Sequence, residues 1–138
     1  MSRIAHIVLM STMAFALSAC DGIYFRRIDI SGADTAAVDV RSPNAQRVIS
    51  TLRDYAAQAK VHCPAADKLP FECSRQPIRI LALPSEHGVT VCYIAMGTAF
   101  ESTKFERRMD HLQSMLAERF GALSVQSSRN SCPLPPKS

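Results

Sequence analysis

The chain has 138 residues, a formal net charge of +4, five cysteines and no tryptophan. This length fits a single domain with a modest hydrophobic core. Because the 16 Lys and Arg residues are scattered along the chain instead of clustered, the composition argues against nucleic-acid binding.

The first twenty residues have the pattern of a bacterial signal peptide. Arg3 is followed by an uncharged, mainly apolar run over residues 4–17, and the sequence Leu-Ser-Ala-Cys occupies positions 17–20. The segment 4–19 is shorter than the about 20 residues that a helix needs to cross a bilayer. An uncleaved membrane span is therefore the less favoured interpretation. The Leu-Ser-Ala-Cys sequence resembles the lipobox of bacterial lipoproteins.

This resemblance to bacterial lipoproteins implies a lipid anchor on Cys20. The Cys20 thiol would receive a diacylglyceryl group, the signal peptide 1–19 would be removed, and the freed amine would be acylated. The position requires cysteine because its thiol is the nucleophile, and two or more acyl chains give lasting attachment where one is marginal. The alternative is an ordinary secreted protein in which Cys20 only happens to lie near the cleavage site.

The same resemblance implies a location in the bacterial cell envelope, with the domain facing the periplasm. Asp21 resembles the signal that keeps some enterobacterial lipoproteins in the inner membrane, and it weakly favours that membrane. The linker 20–23 spans only about 10 Å at 3.5 Å per residue, so we expect the domain to lie close against the bilayer. Arg26 and Arg27 follow the linker and either contact anionic headgroups or are two solvated charges on a strand.

The mature chain begins with strand and helix signals. Residues Tyr24–Ser31 alternate in polarity and predict a strand, and Thr35–Arg41 predicts a second, short strand. Ser42-Pro43 has the order of a capping residue followed by proline at the first helical position. A helix is predicted from there because apolar residues recur at steps of three and four: Ala45, Val48, Ile49, Leu52, Ala56 and Ala59. The segment His62–Gln76 is predicted to be an irregular loop.

A hairpin is predicted from residues Ile78–Leu83 and Val89–Met96, joined by a turn at 84–88. The second strand is apolar on nearly both faces. It therefore fits a central strand that is covered by a helix on one face and by the C-terminal tail on the other.

The last predicted elements are a helix and a strand. A capping box at Thr103–Glu106 marks the start of the helix, Gly121 its end, and Ala122–Ser127 forms the strand. The apolar stripe of this helix comprises Phe105, Met109, Leu112, Leu116 and Phe120. The arginines at 107, 108 and 119 are assigned to a solvated face.

The element order β-α-β-β-α-β predicts an α+β fold of the ferredoxin-like type, a two-layer sandwich in which two helices cover one face of an antiparallel sheet. An extra N-terminal strand is possible in this scheme. The single domain is expected over residues 24–132, with 133–138 as a C-terminal tail. Because this fold hosts many activities, it implies no function by itself.

Four cysteines remain once Cys20 carries lipid. In an oxidising compartment Cys63, Cys73, Cys92 and Cys132 predict two disulfides, with three possible pairings. Cys63 and Cys73 flank the proline-containing loop, which favours the sequential pairing Cys63–Cys73 and Cys92–Cys132. The crossed arrangement, Cys63–Cys92 with Cys73–Cys132, stays open. The sequential arrangement would attach the C-terminal tail across the sheet.

No catalytic or metal-binding pattern stands out in the mature sequence. His62, His87 and His111 lack the helix spacing of metal ligands, and there is no C-x-x-C motif. Ser85, Glu86 and His87 are adjacent, whereas working triads are normally gathered from separate segments. No glycine-rich loop that cradles phosphate is present. We therefore predict no metal, no cofactor and no enzymatic activity.

The sequence thus predicts a non-enzymatic envelope lipoprotein that binds another protein, as a subunit of an envelope or secretion assembly or as an inhibitor or immunity-type protein. The alternative is a small-ligand or cell-wall binding domain that uses the open sheet face or the loop 62–76. An enzyme that uses His62 or His87 is a third hypothesis. A protein binder should expose an apolar patch, a ligand binder a polar-lined pocket, and an enzyme perturbed titratable groups in contact.

Overall fold

The computed structural model describes residues 22–31, 42–86, 88–128 and 131–132. It has an α+β architecture in which two helices cover one face of an antiparallel sheet. The strands are β1 (Gly22–Ser31), β2 (Phe71–Arg75), β3 (Ile78–Ser85), β4 (Gly88–Gly97) and β5 (Val125–Ser128). The helices are α1 (Pro43–Ala59) and α2 (Ser102–Phe120), and short 3₁₀ turns at Ala99–Glu101 and Ala122–Ser124 flank α2.

The five strands lie in the order β2-β3-β4-β1-β5. Strand β4 is central and pairs with β1 over the whole length of both strands, from Gly22 opposite Gly97 to Ser31 opposite Gly88. Strand β5 pairs only with Arg27–Ile30 of β1. The outer edge of β1 before Arg27 therefore has no strand neighbour within the described part of the chain.

The predicted ferredoxin-like topology is wrong. The chain forms an additional edge strand, β2, inside the segment His62–Gln76 where a loop was predicted, so strand order and placement differ from the expected four-strand scheme. Strand β2 has five residues, of which only Phe71 and Cys73 are buried. The prolines and cysteines around so short a strand hide its alternation. The predicted strand Thr35–Arg41 lies outside the described residues.

Helix α1 begins as its sequence predicts. The Ser42 side-chain oxygen accepts a hydrogen bond from the Ala45 N–H at 3.1 Å, and Pro43 occupies the first turn, where its missing N–H costs nothing. The predicted stripe faces the sheet, with Val48, Ile49 and Leu52 fully buried or nearly so.

Helix α2 starts differently from the prediction. The sequence contains T-x-x-E twice, at 98–101 and at 103–106. The first of these caps the 3₁₀ turn that leads into the helix, because the Thr98 N–H donates to the Glu101 side chain at 2.9 Å. The helix then starts at Ser102 and ends before Gly121, whose φ of +87° favours glycine. Glu106, predicted to close the capping box, instead contacts β1.

The main core lies between the two helices and the sheet. Six residues of β3 and β4 on the helix-facing side are buried in this core: Ile78, Ile80, Ala82, Val89, Val91 and Tyr93. A smaller cluster lies on the opposite face, where Leu81, Leu83 and Cys92 are buried with Cys132 packed against them. Strand β4 is therefore covered on both faces in its first half, whereas Met96 near its end is 54% exposed.

Two disulfides join Cys63 to Cys73 and Cys92 to Cys132. The prediction of two disulfides is confirmed, and the pairing is the sequential one. The first bond ties the residues after α1 to β2. The second attaches Cys132 to the centre of the sheet, on the face opposite the helices.

Removing the second disulfide by Cys92→Ala with Cys132→Ala is expected to lower the free energy of unfolding by about 4 kcal/mol in the chain-entropy model. The bond closes a long loop, with a separation of 40 residues, and Cys132 also covers Leu81 and Leu83. Urea denaturation of the mature protein would measure the loss. A loss below about 1 kcal/mol would show that the bond restrains neither the unfolded chain nor the cluster beneath it.

Candidate functional site

One end of the sheet gathers the start of β1, the end of β4 and the start of α2. We call it the basal end. Gly22 lies opposite Gly97 across the β1–β4 pair, and the 3₁₀ turn that follows leads directly into α2. The end of α1 reaches the same place, because the Arg75 guanidinium at the end of β2 donates to the Lys60 carbonyl at 3.1 Å. The basal end is therefore also the end that the preceding residues 1–21 enter.

Exposed hydrophobic side chains are concentrated at the basal end. Ile23 is 65% exposed, Phe25 38%, Met96 54% and Phe100 90%. We call these four residues the basal apolar patch. Ile23 and Met96 are opposite each other across the β1–β4 pair, and Phe25 lies two residues further along the same sheet face. Clustered exposure of this kind marks an interaction surface, since single exposed apolar residues are common but groups are not.

The C-terminal segment leaves this patch uncovered over its described residues. Cys132 covers the sheet at Cys92, which lies opposite Arg27. The Arg27 guanidinium also reaches the Ser131 carbonyl at 3.5 Å. Ile23 and Phe25 lie beyond this crossing point, towards the basal end. Among the described residues, the C-terminal segment thus covers this strand face at its middle and not at its base.

A basic cleft lies at the basal end on the other side of the sheet, in the helix layer. The cavity has a volume of about 520 Å³ and is lined by Tyr55, Lys60, Arg75, Arg107, Arg108 and His111, together with Gln58 and Ala59. We call it the basal cleft. Its lining contains four permanent cations and no carboxylate. None of the ion pairs among the described residues involves these four cations. The cleft therefore attracts anions.

Tyr55 forms the floor of the cleft, and its hydroxyl contacts that of a second buried tyrosine, Tyr93. The Tyr55 hydroxyl donates to the Arg108 carbonyl at 3.2 Å and lies 3.4 Å from the Tyr93 hydroxyl. Burial raises the pKa of Tyr55 and that of Tyr93, so both phenols stay protonated at neutral pH. A general acid or base at neutral pH needs a pKa of about 7, and burial moves the pKa of both tyrosines further from that value. The floor thus adds no negative charge to the cleft.

The two arginines that follow the N-terminal segment are held by carboxylates of the domain. Arg26 lies on the helix-facing side of β1, has a side chain only 13% exposed, and pairs with Glu106 and Asp110 of α2. Arg27 pairs with Asp29 at 2.9 Å on the opposite face. Neither arginine is simply solvated, and neither is free for headgroups. The sequence did not reveal the Arg26 partners because they lie 80 and 84 residues away.

Only some of the candidate residues predicted from the sequence lie among the described residues. Cys20, Asp21 and His87 lie outside the described residues, so the lipid anchor stays a prediction and the Ser-Glu-His sequence is not tested. His62 is exposed and forms a main-chain bridge with Ser74. The loop that was offered as a ligand site is therefore partly the edge of the sheet.

Sequence reasoning missed the basal cleft. Arg107 and Arg108 were assigned to a solvated face, and only Arg119 of that group pairs with a carboxylate, that of Asp54. The remaining cations come from the end of α1 and the end of β2, so no local pattern connects them. The sequence did contain one signal. Neither Arg107 nor Arg108 has a carboxylate three or four residues before it, the spacing at which a helix would form an ion pair.

Two further findings concern the chemistry of the described residues. They contain no group of three or more His, Cys, Asp or Glu side chains placed to hold a metal ion. Within the same ranges, no helix combines the length and the apolar character needed to cross a membrane. Neither finding assigns a function.

Comparison with protein-family models, with curated proteins and with solved structures found no match. The basal end is the candidate site that the described residues form. Its two components, an apolar patch on the sheet and a basic cleft in the helix layer, differ in chemistry and in the partners that they fit.

Proposed function

We propose that the protein is a lipoprotein of the bacterial cell envelope, held at the membrane through Cys20 and facing the periplasm. Its domain binds another protein and catalyses no reaction. The observation that supports protein binding is the half-edge of β1, residues 22–25, which no described strand pairs with, and the apolar side chains of Ile23 and Phe25 beside it.

The half-edge of β1 has the properties of a strand-addition site. The described part of β5 ends at Ser128, opposite Arg27, so the N–H and C=O groups on the outer edge of residues 22–25 have no strand partner among the described residues. A partner strand that continues the line of β5 would satisfy these groups, and backbone hydrogen bonds supply affinity in this mode. Ile23 and Phe25, which project from one face, would supply side-chain specificity.

The proposed anchor restricts which proteins reach this edge. Cys20 is three residues before Ile23, so the edge begins within about 10 Å of the acylated residue. A partner that pairs with it must itself be at the membrane surface or embedded in the membrane. This favours a subunit of an envelope or secretion assembly over an inhibitor of a freely diffusing enzyme.

The test is photo-crosslinking in the producing bacterium with benzoylphenylalanine in place of Phe25. The expected result is one discrete covalent adduct with an envelope protein. The control places the same group at Gln126, which is exposed on the same sheet face but lies where β1 and β5 are already paired. The same adduct from both positions would contradict specific binding of a protein at the β1 edge. Adducts of position 25 with lipid alone would also contradict it.

A further inference from the structure

We infer that the basal cleft binds the headgroup of an anionic phospholipid and thereby orients the domain on the bilayer. The inference rests on the proposed anchoring through Cys20 and adds a second contact with the membrane. The ligand chemistry is that of a phosphate anion, and the source that the position of the cleft favours is a lipid headgroup.

The cations of the cleft are available to a ligand. Lys60, Arg75 and Arg107 are exposed, and Arg108 is half-buried. Arg75 uses one N–H on the Lys60 carbonyl, which leaves most of its five donors free. The main chain at Arg108 is fixed by the hydrogen bond from Tyr55 to its carbonyl. Arginine is well suited to phosphate because its planar fork donates two parallel hydrogen bonds.

A purely structural role does not account for all four cations. Lys60 is the left-handed cap residue of α1, with φ of 57°, so Lys60 and Arg75 both lie near the negative end of that helix. A helix terminus carries only about half an elementary charge, which one cation already offsets. Arg107 and Arg108 lie in the second turn of α2, and neither forms an ion pair among the described residues. An anion in the cleft would supply the counter-charge that the described residues do not.

The cleft and the proposed anchor lie at the same end of the molecule. Cys20 is two residues before Gly22, a distance of at most about 7 Å along the chain. The bilayer surface would thus lie within about one Debye length, roughly 8 Å at physiological ionic strength, of the basal end. Over this distance anionic headgroups attract Lys and Arg strongly, about fivefold in binding for each cation near the surface.

Phe100 adds an exposed apolar side chain to the same end of the molecule as these cations. It lies in the 3₁₀ turn between β4 and α2 and is 90% exposed. An exposed phenylalanine beside a group of cations is typical of surfaces that lie at the boundary between headgroups and acyl chains. Phe100 is not on the β1 edge, so this contact leaves the strand-addition site accessible at the side of the domain.

Amine labelling of the mature protein in nanodiscs tests the inference. Nanodiscs of phosphatidylcholine are compared with nanodiscs that also contain phosphatidylglycerol, and the labelling of each lysine is measured by mass spectrometry. We expect Lys60 to react more slowly in the anionic nanodiscs, by up to about fivefold, which is the gain in binding for one cation at an anionic surface. Lys68 is the internal control, because it is exposed next to Asp67, whose carbonyl contacts Gln46 at the opposite end of α1.

Matched variants separate the cleft from general charge. Arg107→Gln with Arg108→Gln should abolish the protection of Lys60. Arg79→Gln with Arg119→Gln removes the same charge from positions outside the cleft and should leave the protection unchanged. Equal loss in both double variants would overturn the assignment of the site to the cleft.

The remaining outcomes distinguish the source of the anion. Inorganic phosphate is added to the detergent-solubilised protein as a second arm. Protection of Lys60 by inorganic phosphate, without protection by phosphatidylglycerol, would assign the cleft to a soluble anion and overturn the lipid site. Equal protection in both kinds of nanodisc would overturn the role of charge. An unmodified Cys20 in the mass spectrum would overturn the anchor, and with it the placement of the cleft on the bilayer.

Discussion

Replacing Cys20 with alanine is expected to abolish acylation and to leave an unprocessed precursor that retains residues 1–19. The acyl group is attached to the thiol, and no other side chain supplies that nucleophile. Labelling of growing cells with radioactive palmitate, followed by isolation of the protein, would measure the incorporated lipid. The molecular mass of the isolated chain would show whether the signal peptide was removed.

Cys63→Ala with Cys73→Ala is the matched control for this experiment. It also removes thiols, but it leaves position 20 intact, so its palmitate label should equal that of the unchanged protein. Undiminished label in the Cys20→Ala protein would refute the lipid anchor. Loss of label in both proteins would show that labelling depends on correct folding instead of on Cys20.

Leu112→Ala is expected to lower the free energy of unfolding by about 2–5 kcal/mol, because truncating a buried leucine leaves a cavity in the core. Leu112 is fully buried in α2, and Leu52 is fully buried in α1, so each helix contributes one such residue to the space above the sheet. Leu52→Ala should cost a similar amount. Urea denaturation of the mature protein would measure both.

Glu118→Ala is the control on the same helix as Leu112. Glu118 is exposed and forms none of the ion pairs among the described residues, so its replacement should change stability by less than about 0.5 kcal/mol. Losses under about 1 kcal/mol at both leucines would mean that the two stripes do not face a core.

Elements with a strong local signal could be predicted from the sequence. Helix α1 has a cap at Ser42, a proline at its first turn and an apolar stripe, and all three are local patterns. The β3–β4 hairpin has two apolar runs on either side of a short turn. Strand β2 was missed because five residues with two buried side chains give too short an alternation, and the nearby prolines and cysteines suggested a loop. That single strand changed the topology.

The candidate site depends on contacts that no local pattern contains. Arg26 of β1 forms ion pairs with two carboxylates of α2, whereas Arg107 and Arg108 of α2 form no ion pair among the described residues. Sequence spacing places all of these charges on helix or strand faces, but it does not show which ones meet after folding. The apolar patch has the same origin: Ile23 and Met96 become neighbours only through the β1–β4 register.

The position of β1 inside the sheet has a mechanical consequence. A membrane anchor at Cys20 would apply force to the first residue of β1, along the axis of a strand that is flanked by β4 and, in its second half, by β5. The β1–β4 ladder runs from Gly22 to Ser31, so the pull would load its hydrogen bonds together in shear. An edge strand pulled sideways would instead unzip one bond at a time. A domain anchored in this way would be held by a strand that resists extraction when the rest of the domain is pulled away from the membrane.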